Sequence, residues 1–429
     1  MTAVDPYAPR SGDLSYEVHA YDLELDYRVR TNRLDGVARL TAALTAPTRA
    51  IDVDLVGLRA AKVRVDGVSA AFRQGPHRLH VTLPRPLDAG ETFVLEIRYE
   101  GAPGPRRSRW GTIGWEELDD GALVANQPTG APTWFPCNDR PDNRAPVRLR
   151  ISTDREYAAV AVGTRVSDEV RGRRRTAEYV SDVPTATYLA AVQIGRYAPN
   201  DLGEPEGLAI ELWAPTALRT AALAAFADVP AMVRAFEEAF GPYPQPHYRL
   251  VVTADDLEIP LESQGMAVFG ANHLDADSER LVAHELAHQW FGNSVGIARW
   301  QDIWLNEGFA CYAEWLWSEA SGGESADACA RAHHRALAAE PQDLVIADPG
   351  PDLMFDDRVY KRGALTLHAL RLTLGDADFF ALLRSWAEQN QHSLVSTAGF
   401  RIAVGGEHAA LLTAWLDRPA LPALPRARR

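Results

Sequence analysis

The pattern of hydrophobic and polar positions changes once along the chain, near residue 200. Before that point, short segments alternate between apolar and polar residues, which is typical of strands with one buried face. The clearest of them are residues 16–25, 51–55, 80–83, 93–99 and 147–151. Turns between strands are indicated by three Asp-Gly pairs, Asp35-Gly36, Asp66-Gly67 and Asp120-Gly121. We expect residues 1–200 to form an antiparallel β-rich domain, either a sandwich or a saddle-shaped sheet.

After residue 200 the pattern is mixed at first and then helical. The mixed part predicts a strand, a helix and a strand, at 209–213, 217–240 and 248–253. Apolar residues then recur at helical spacing over 278–291 and again over 303–320. Asp277 or Ser278 can cap the first of these two helices. The fold class is therefore α+β, and residues 201–429 form a second, mainly helical domain.

Two histidines four residues apart lie in the first of these two helices, in the segment His284-Glu285-Leu286-Ala287-His288. Residues at this spacing lie on one face of a helix, so both imidazoles can reach one point in space. Glu285 lies at the edge of that face, where its carboxylate can reach a water molecule beside a metal without binding the metal. Two neutral imidazoles and one carboxylate make a three-ligand zinc site with a fourth position open to water.

The third ligand has to come from another segment. Glu307 follows His288 after 18 intervening residues, which is enough chain to finish one helix, turn and begin another. It lies in the second predicted helix, so all the candidate ligands fall on helices. Two nearby carboxylates are ambiguous, those of Asp302 and Glu314. Each can accept a hydrogen bond from a ligand histidine, and each can equally serve a structural purpose such as helix capping.

These segments together resemble a known family. Residues 284–293 and 304–310 are similar to the zinc aminopeptidases of the aminopeptidase N and leukotriene hydrolase type, which are gluzincin metallopeptidases. Further segments carry the resemblance, at 133–141, 187–190, 241–244 and 359–364. It extends over residues 21–425. The resemblance implies one zinc ion per chain, held by the two histidines and Glu307, and a thermolysin-like catalytic domain after the β-rich one.

The resemblance also implies catalytic roles. Glu285 is the expected general base, which takes a proton from water and passes it to the leaving amine. Tyr360 lies in the segment that matches the tyrosine motif of the family, and it is expected to stabilise the oxyanion through its phenol. An aminopeptidase must also hold the free α-amine of its substrate. The resemblance assigns this role to Glu262, and Glu258 is the competing assignment.

The substrate-binding segments depart from the family pattern. In the stretch 259–269, three residues of the usual Gly-x-Met-Glu-Asn pattern are replaced, by Ile259, Leu261 and Ser263. Gly265 and Met266 belong to the same substrate-binding stretch. Gln127 matches a polar residue of the first domain that contacts the amine, but Thr129 stands where the family has an acidic residue. One contact to the amine is therefore missing.

Composition and charge narrow the class of protein. The 429 residues are 46% hydrophobic and 24% charged, as in an ordinary globular protein of two or three domains. The formal net charge of −14 argues against nucleic acid and membranes as partners. No apolar run approaches the length of a membrane span, and residues 1–13 do not resemble a secretory signal. With only three cysteines, the chain fits a reducing cytoplasm.

The leading hypothesis is a cytoplasmic zinc aminopeptidase that acts on peptides with a free N-terminus. An epoxide hydrolase or an endopeptidase on the same scaffold is an alternative, and refusal of N-acetylated peptides would favour the aminopeptidase. A non-catalytic scaffold protein is a third hypothesis, which the presence of every expected ligand and of the general base opposes. Related enzymes carry a further helical domain that closes over the active site. We therefore expect a more open cleft here, or one that another subunit closes.

Overall fold

The structure, a computed structural model, describes residues 5–427, in which strands come first and helices later along the chain. The chain divides into two compact units. Unit 1 comprises the chain up to Asn200, with Glu211–Thr220 and Arg249–Asn272, and unit 2 comprises Asp201–Ile210, Ala221–Tyr248 and the chain from His273 onward. The predicted α+β class is confirmed, whereas the domain boundary at residue 200 stays a prediction.

The strands up to residue 125 are β1 Tyr16–Arg28, β2 Arg33–Leu44, β3 Thr48–Asp54, β4 Arg59–Val65, β5 Val68–Ser69, β6 Ala71–Gln74, β7 Arg78–Leu87, β8 Thr92–Gly101, β9 Arg106–Ser108, β10 Gly111–Leu118 and β11 Gly121–Ala125. The later strands are β12 Arg144–Asp154, β13 Ala158–Ala161, β14 Thr164–Arg171, β15 Arg174–Ala186, β16 Val192–Gly195, β17 Tyr197–Asp201, β18 Ala209–Pro215, β19 His247–Val252, β20 Leu261–Ser263, β21 Met266–Phe269, β22 Gly296–Ile297 and β23 Leu394–Val395. The α-helices are α1 Arg219–Ala225, α2 Val229–Phe240, α3 Glu279–Ala287, α4 Trp304–Ala320, α5 Ala326–Leu337, α6 Asp357–Leu374, α7 Asp376–Gln389, α8 Thr397–Val404 and α9 Ala409–Leu416.

An eight-stranded sheet dominates unit 1, with the strand order β14-β15-β12-β1-β2-β8-β4-β5. Alternate side chains of β1 are buried, as the sequence pattern predicted, and they pack into an extended apolar core. The sheet is not purely antiparallel, because β1 pairs with β12 in parallel. These two strands are joined by a connection of more than a hundred residues, long enough to return the chain to the same end of the sheet.

The turn predicted at Asp35-Gly36 is wrong, because both residues lie inside β2. Gly36 pairs with Tyr99 of β8, and a Cβ atom added at Gly36 would lie 2.3 Å from the Tyr99 ring. The glycine therefore makes room for an aromatic ring across the sheet. An Asp-Gly pair therefore does not by itself distinguish a turn from a strand in which the glycine makes room for a neighbouring side chain.

The helical predictions need three corrections. The helix expected over 217–240 is two helices, α1 and α2, because a proline in the first turn of α2 starts a new helix. The helix expected over 278–291 ends at Ala287, and the N–H groups of residues 293–295 bond to carbonyls five residues earlier. The side-chain cap before α3 is Asp275, which accepts a hydrogen bond from the backbone N–H of Ser278 at 2.9 Å.

Within residues 5–427, no single helix has the length and apolar composition that crossing a membrane requires. One pair of helical stretches, Thr216–Ala225 and Val229–Phe240, meets these requirements only when taken together, and it is bent by 42° at its break.

Candidate functional site

The two motif histidines and Glu307 lie together in unit 2. His284 is in the last turn of α3 and His288 follows directly after this helix, while Glu307 is in the first turn of α4. The two imidazole rings lie 4.8 Å apart between centroids and are inclined by 77°. All three side chains are buried. The structure therefore brings together the three side chains that the sequence pattern singled out.

The spacing of these side chains fits a metal ion. The Nε2 atoms of His284 and His288 lie 3.5 Å and 3.4 Å from the same carboxylate oxygen of Glu307. Ligands about 2.0–2.1 Å from a tetrahedral zinc ion lie about 3.3–3.5 Å from each other, so the observed separations match two edges of that tetrahedron. Two imidazole nitrogens and a carboxylate oxygen are also a donor set that zinc prefers. The role of the three residues as ligands stays a prediction.

Hydrogen bonds on the far side of each ring orient the two histidines. The Nδ1 atom of His284 lies 2.8 Å from a carboxylate oxygen of Glu314, and the Nδ1 atom of His288 lies 3.0 Å from the carbonyl oxygen of Phe291. Both oxygens can only accept, so Nδ1 donates in each ring, and Nε2 is the ring atom that a cation would bind in place of a proton. The ambiguity left for Glu314 is resolved, since it holds a candidate ligand. Its other oxygen lies 3.4 Å from Arg280.

The electrostatics of the cluster favour positive charge. Burial alone would lower the pKa of His284, but the carboxylates of Glu307 and Glu314 outweigh it and raise the pKa to about 9. Burial acts to raise the pKa of Glu307, and the two imidazoles outweigh it and lower the pKa to about 2. Carboxylates that stabilise an imidazolium at this point stabilise a divalent cation there for the same reason.

Replacing Glu314 by Gln should weaken metal binding by about 10–100-fold, because the hydrogen bond that orients His284 loses its charged acceptor. The amide is nearly the same size, so the fold should keep its thermal stability once the metal is saturating. Metal affinity can be measured by competition with a chromophoric chelator. Unchanged affinity in Glu314→Gln would show that the contact to His284 does not support metal binding.

Glu285 and Tyr360 lie beside the cluster. Glu285 follows His284 in α3 and is buried, with only 4% of its surface exposed. Tyr360 lies in the first turn of α6, half-buried, and its ring is stacked on that of His284 with 6.1 Å between centroids and 20° between planes. Burial and the nearby carboxylate of Glu285 raise the pKa of Tyr248, on β19, well above its ordinary value.

Two contacts near the cluster were not found by sequence reasoning. The ammonium group of Lys361 lies 3.4 Å from the sulfur of the buried Cys311. Arg280 contacts Glu314, and its position four residues before His284 in one helix was the available signal for it. The carboxylate of Asp302 accepts hydrogen bonds from the backbone N–H and hydroxyl of Thr397, at 2.9 and 2.6 Å, which connects the start of α4 with that of α8.

The predicted substrate-binding residues belong to unit 1. Gln127 follows β11 and is half-buried, and its Nε2 atom has no hydrogen-bond partner among residues 5–427. Thr129 is buried, and its hydroxyl accepts a hydrogen bond of 2.9 Å from Arg106. Where the resemblance predicts an acidic residue, this chain thus has a neutral side chain beside a guanidinium group.

Glu262 lies in the middle of β20, the strand at one edge of the five-stranded sheet β17-β18-β19-β21-β20. It is half-buried and pairs with Ala267 of β21, whereas the competing Glu258 is exposed. Gly265 forms the turn between the two strands with φ of +68°. The side chain of Met266 is fully buried in the core of unit 1, so its main chain is the part that remains for contact with a substrate.

Comparison with known proteins identifies the family. The model of the Peptidase M1 N-terminal domain matches residues 17–189, and that of the Peptidase family M1 domain matches residues 225–413. The crystal structure of the M1 zinc metallopeptidase from Deinococcus radiodurans is 30% identical, with a TM-score of 0.90, and the match covers 100% of this chain and 99% of that chain. A mutant of that enzyme bound to the peptide Tyr-Ser-Ala is 31% identical, with a TM-score of 0.90 and coverage of 99% and 100%.

The curated relatives are longer proteins. Aminopeptidase M1-B of rice (Oryza sativa) is 25% identical over 452 residues, and the match covers 94% of this chain and 50% of the rice protein. This chain thus spans about half the length of the curated relatives it matches. The two family models together cover most of the chain, and the Deinococcus structure matches along its entire length. The chain therefore belongs to peptidase family M1.

Proposed function

We propose that this protein is a zinc-dependent aminopeptidase that removes the N-terminal residue from peptides. The observation that carries the proposal is the cluster of His284, His288 and Glu307, with separations that match the edges of a zinc tetrahedron, beside the buried carboxylate of Glu285. Family membership supports the same reaction, since rice aminopeptidase M1-B is a relative. The peptide complex of the Deinococcus enzyme supports peptides as substrates.

His284, His288 and Glu307 would hold the zinc ion, and the ion would supply Lewis-acid activation of water and of the substrate carbonyl. The protein supplies the proton transfers. Glu285 accepts a proton from the attacking water and delivers it to the nitrogen of the leaving peptide. Burial of the carboxylate strengthens this role, because few bulk water molecules compete for its charge.

The phenol of Tyr360 is proposed to donate a hydrogen bond to the substrate oxygen as negative charge develops on it. Its ring stacks on His284, which keeps the side chain beside the proposed ligands. A donor that acts on the oxyanion stabilises the transition state more than the bound substrate.

Tyr360→Phe should lower kcat by about 10²–10³-fold with little change in KM, because it removes one donor to the oxyanion and almost no volume. Steady-state kinetics on an aminoacyl-coumarin substrate measures both constants. Zinc content should equal that of the wild type, since Tyr360 is not a proposed ligand. Unchanged turnover would exclude the hydroxyl from the reaction.

We propose that Glu262 binds the protonated α-amine and that Gln127 assists it. Glu262 lies at a sheet edge and is half-buried, and a charge-assisted hydrogen bond from an ammonium group to its carboxylate would be a strong one. Because Thr129 replaces an acidic residue, Glu262 carries more of the amine binding than in relatives with both. Gly265 and Met266 would border the bound peptide through their main chain.

Glu262→Ala should raise KM and lower kcat for substrates with a free amine, because the charge-assisted contact also selects which bond reaches the metal. Any residual cleavage of N-acetylated peptides should change much less. The measurement is kcat/KM for acetylated and free peptides in both proteins, and Glu258→Ala is the matched control. A loss in Glu258→Ala instead would transfer the role to Glu258.

The function as a whole is tested with a panel of aminoacyl-coumarin substrates, with and without a chelator. Chelation should abolish activity and added zinc should restore it. N-acetylated versions should be refused. Equal rates on acetylated and free peptides would favour an endopeptidase, and full activity in the metal-free protein would exclude a metal mechanism. The cytoplasmic location inferred from composition stays a prediction.

A further inference from the structure

Helices α4 and α6 of unit 2 touch through two glycines. A Cβ atom added at Gly363 would lie 2.7 Å from the Cα atom of Gly308, and one added at Gly308 would lie 2.8 Å from the Cα atom of Gly363. Ordinary carbon contacts are about 3.5–4.0 Å, so neither position has room for a methyl group. The nearest atoms are backbone atoms, which no change of rotamer can move away.

Close approach is the reason for these glycines. Both lie inside α-helices, where glycine is the least favourable residue after proline. Neither has a positive φ angle, so freedom of the backbone does not explain them. The two helices can come into direct backbone contact only if both residues lack a side chain.

This crossing lies next to the candidate metal centre on both helices. Gly308 directly follows Glu307 in α4. Gly363 follows Tyr360 by three residues in α6, so the two lie on the same face of that helix. A second contact joins the same helices, between the Lys361 ammonium group and the Cys311 sulfur.

Helix α6 is also held on another side. The guanidinium group of Arg362 donates hydrogen bonds to the carbonyl oxygens of Trp415, at 2.9 Å, and of Pro419, at 2.6 Å. A methyl group at the crossing would therefore not shift the whole of α6 away from α4. It would tilt the helix about this anchor and shift the turn that carries Tyr360.

We infer that Gly308 and Gly363 are positioning residues, which set the distance between Tyr360 and the metal ligands by holding α4 and α6 in backbone contact. A methyl group requires the backbones to separate by about 0.7–1 Å before ordinary contact distances return. A displacement of about 1 Å at a reacting group costs about 10²-fold in rate. The inference rests on the proposed role of Tyr360.

The test is a double-mutant cycle with Gly363→Ala and Tyr360→Phe. Gly363→Ala alone should lower kcat by about 10²-fold and keep one zinc per chain. In the Tyr360→Phe background it should cost less than about threefold, because the hydroxyl whose position it disturbs is already absent. Equal losses in both backgrounds, or unchanged kcat in Gly363→Ala, would overturn the inference.

Gly399→Ala is the matched control. It also adds a methyl group inside a helix of unit 2, but its Cβ atom would meet its nearest neighbours at 3.7 and 3.8 Å, which is ordinary contact. It should keep the activity of the wild type. If Gly363→Ala does not fold, Gly308→Ala is measured in the same way. Failure of both to fold while Gly399→Ala folds would assign the pair a purely structural role and overturn the inference.

A second readout does not depend on activity. The Tyr360 ring stacks on that of His284, so the ring-proton NMR signal of His284 reports the distance between them in protein labelled at histidine. Gly363→Ala should shift this signal, and Gly399→Ala should not. In a Tyr360→Leu background, which has no aromatic ring at position 360, Gly363→Ala should leave the signal unchanged. An unmoved signal in Gly363→Ala would overturn the inference, whatever the activity of the protein. A wild-type protein that is inactive on every peptide would refute only the proposed function.

Discussion

Replacing Glu285 by Gln should leave zinc bound and lower kcat by up to about 10⁴-fold, the upper end of the range for a general base. The amide keeps the size of the carboxylate but has no lone pair basic enough to take a proton from water. Glu285 directly follows His284 in α3 and is buried. The change should fall on kcat, because the lost interaction acts in the transition state.

The measurement pairs zinc analysis with steady-state kinetics on the same preparation. Glu314→Gln is the informative comparison, since it also converts a buried carboxylate to an amide within the same cluster. That variant should lose metal affinity and recover its turnover when zinc is supplied. Glu285→Gln should not recover at any zinc concentration. Loss of zinc from Glu285→Gln, with normal turnover after reloading, would mean that Glu285 is a ligand and not the base.

His288→Ala should abolish zinc binding and, with it, all activity. His288 is 1% exposed and its Nε2 atom lies 3.4 Å from Glu307, so its removal takes away one of three proposed ligands and leaves a buried space. The loss of affinity should far exceed the about 10–100-fold expected from an orienting carboxylate such as Glu314. Zinc stoichiometry after dialysis against a weak chelator is the measurement.

A thermal unfolding scan separates loss of the metal from loss of the fold. Zinc should raise the melting temperature of the wild type and leave that of His288→Ala unchanged, because only a folded state that binds the ion is stabilised by it. A His288→Ala protein that still binds one zinc per chain and hydrolyses peptides would require a different ligand set.

Local patterns predicted the elements of this protein better than their ends. The alternation over residues 16–25 predicted β1, because one face of that strand is buried along its length. The ends of α3 were predicted less well, since they depend on Asp275 and on wider hydrogen bonds after Ala287. Gly36 was predicted to lie in a turn. The reason for this glycine is the ring of Tyr99, which fills the space beside it and lies 63 residues later in the chain, so no local pattern could show it.

The sequence by itself determined the chemistry of the candidate centre. The spacing of four residues directs His284 and His288 to one point, since helical periodicity is a local property, and the donor types limit the metal. Only the tertiary structure decided which oxygen of Glu307 approaches both rings, which carboxylate orients His284 and how closely α4 and α6 approach. These features join residues that are 19 to 55 positions apart, and packing between helices, which no local pattern records, sets their distances to tenths of an ångström.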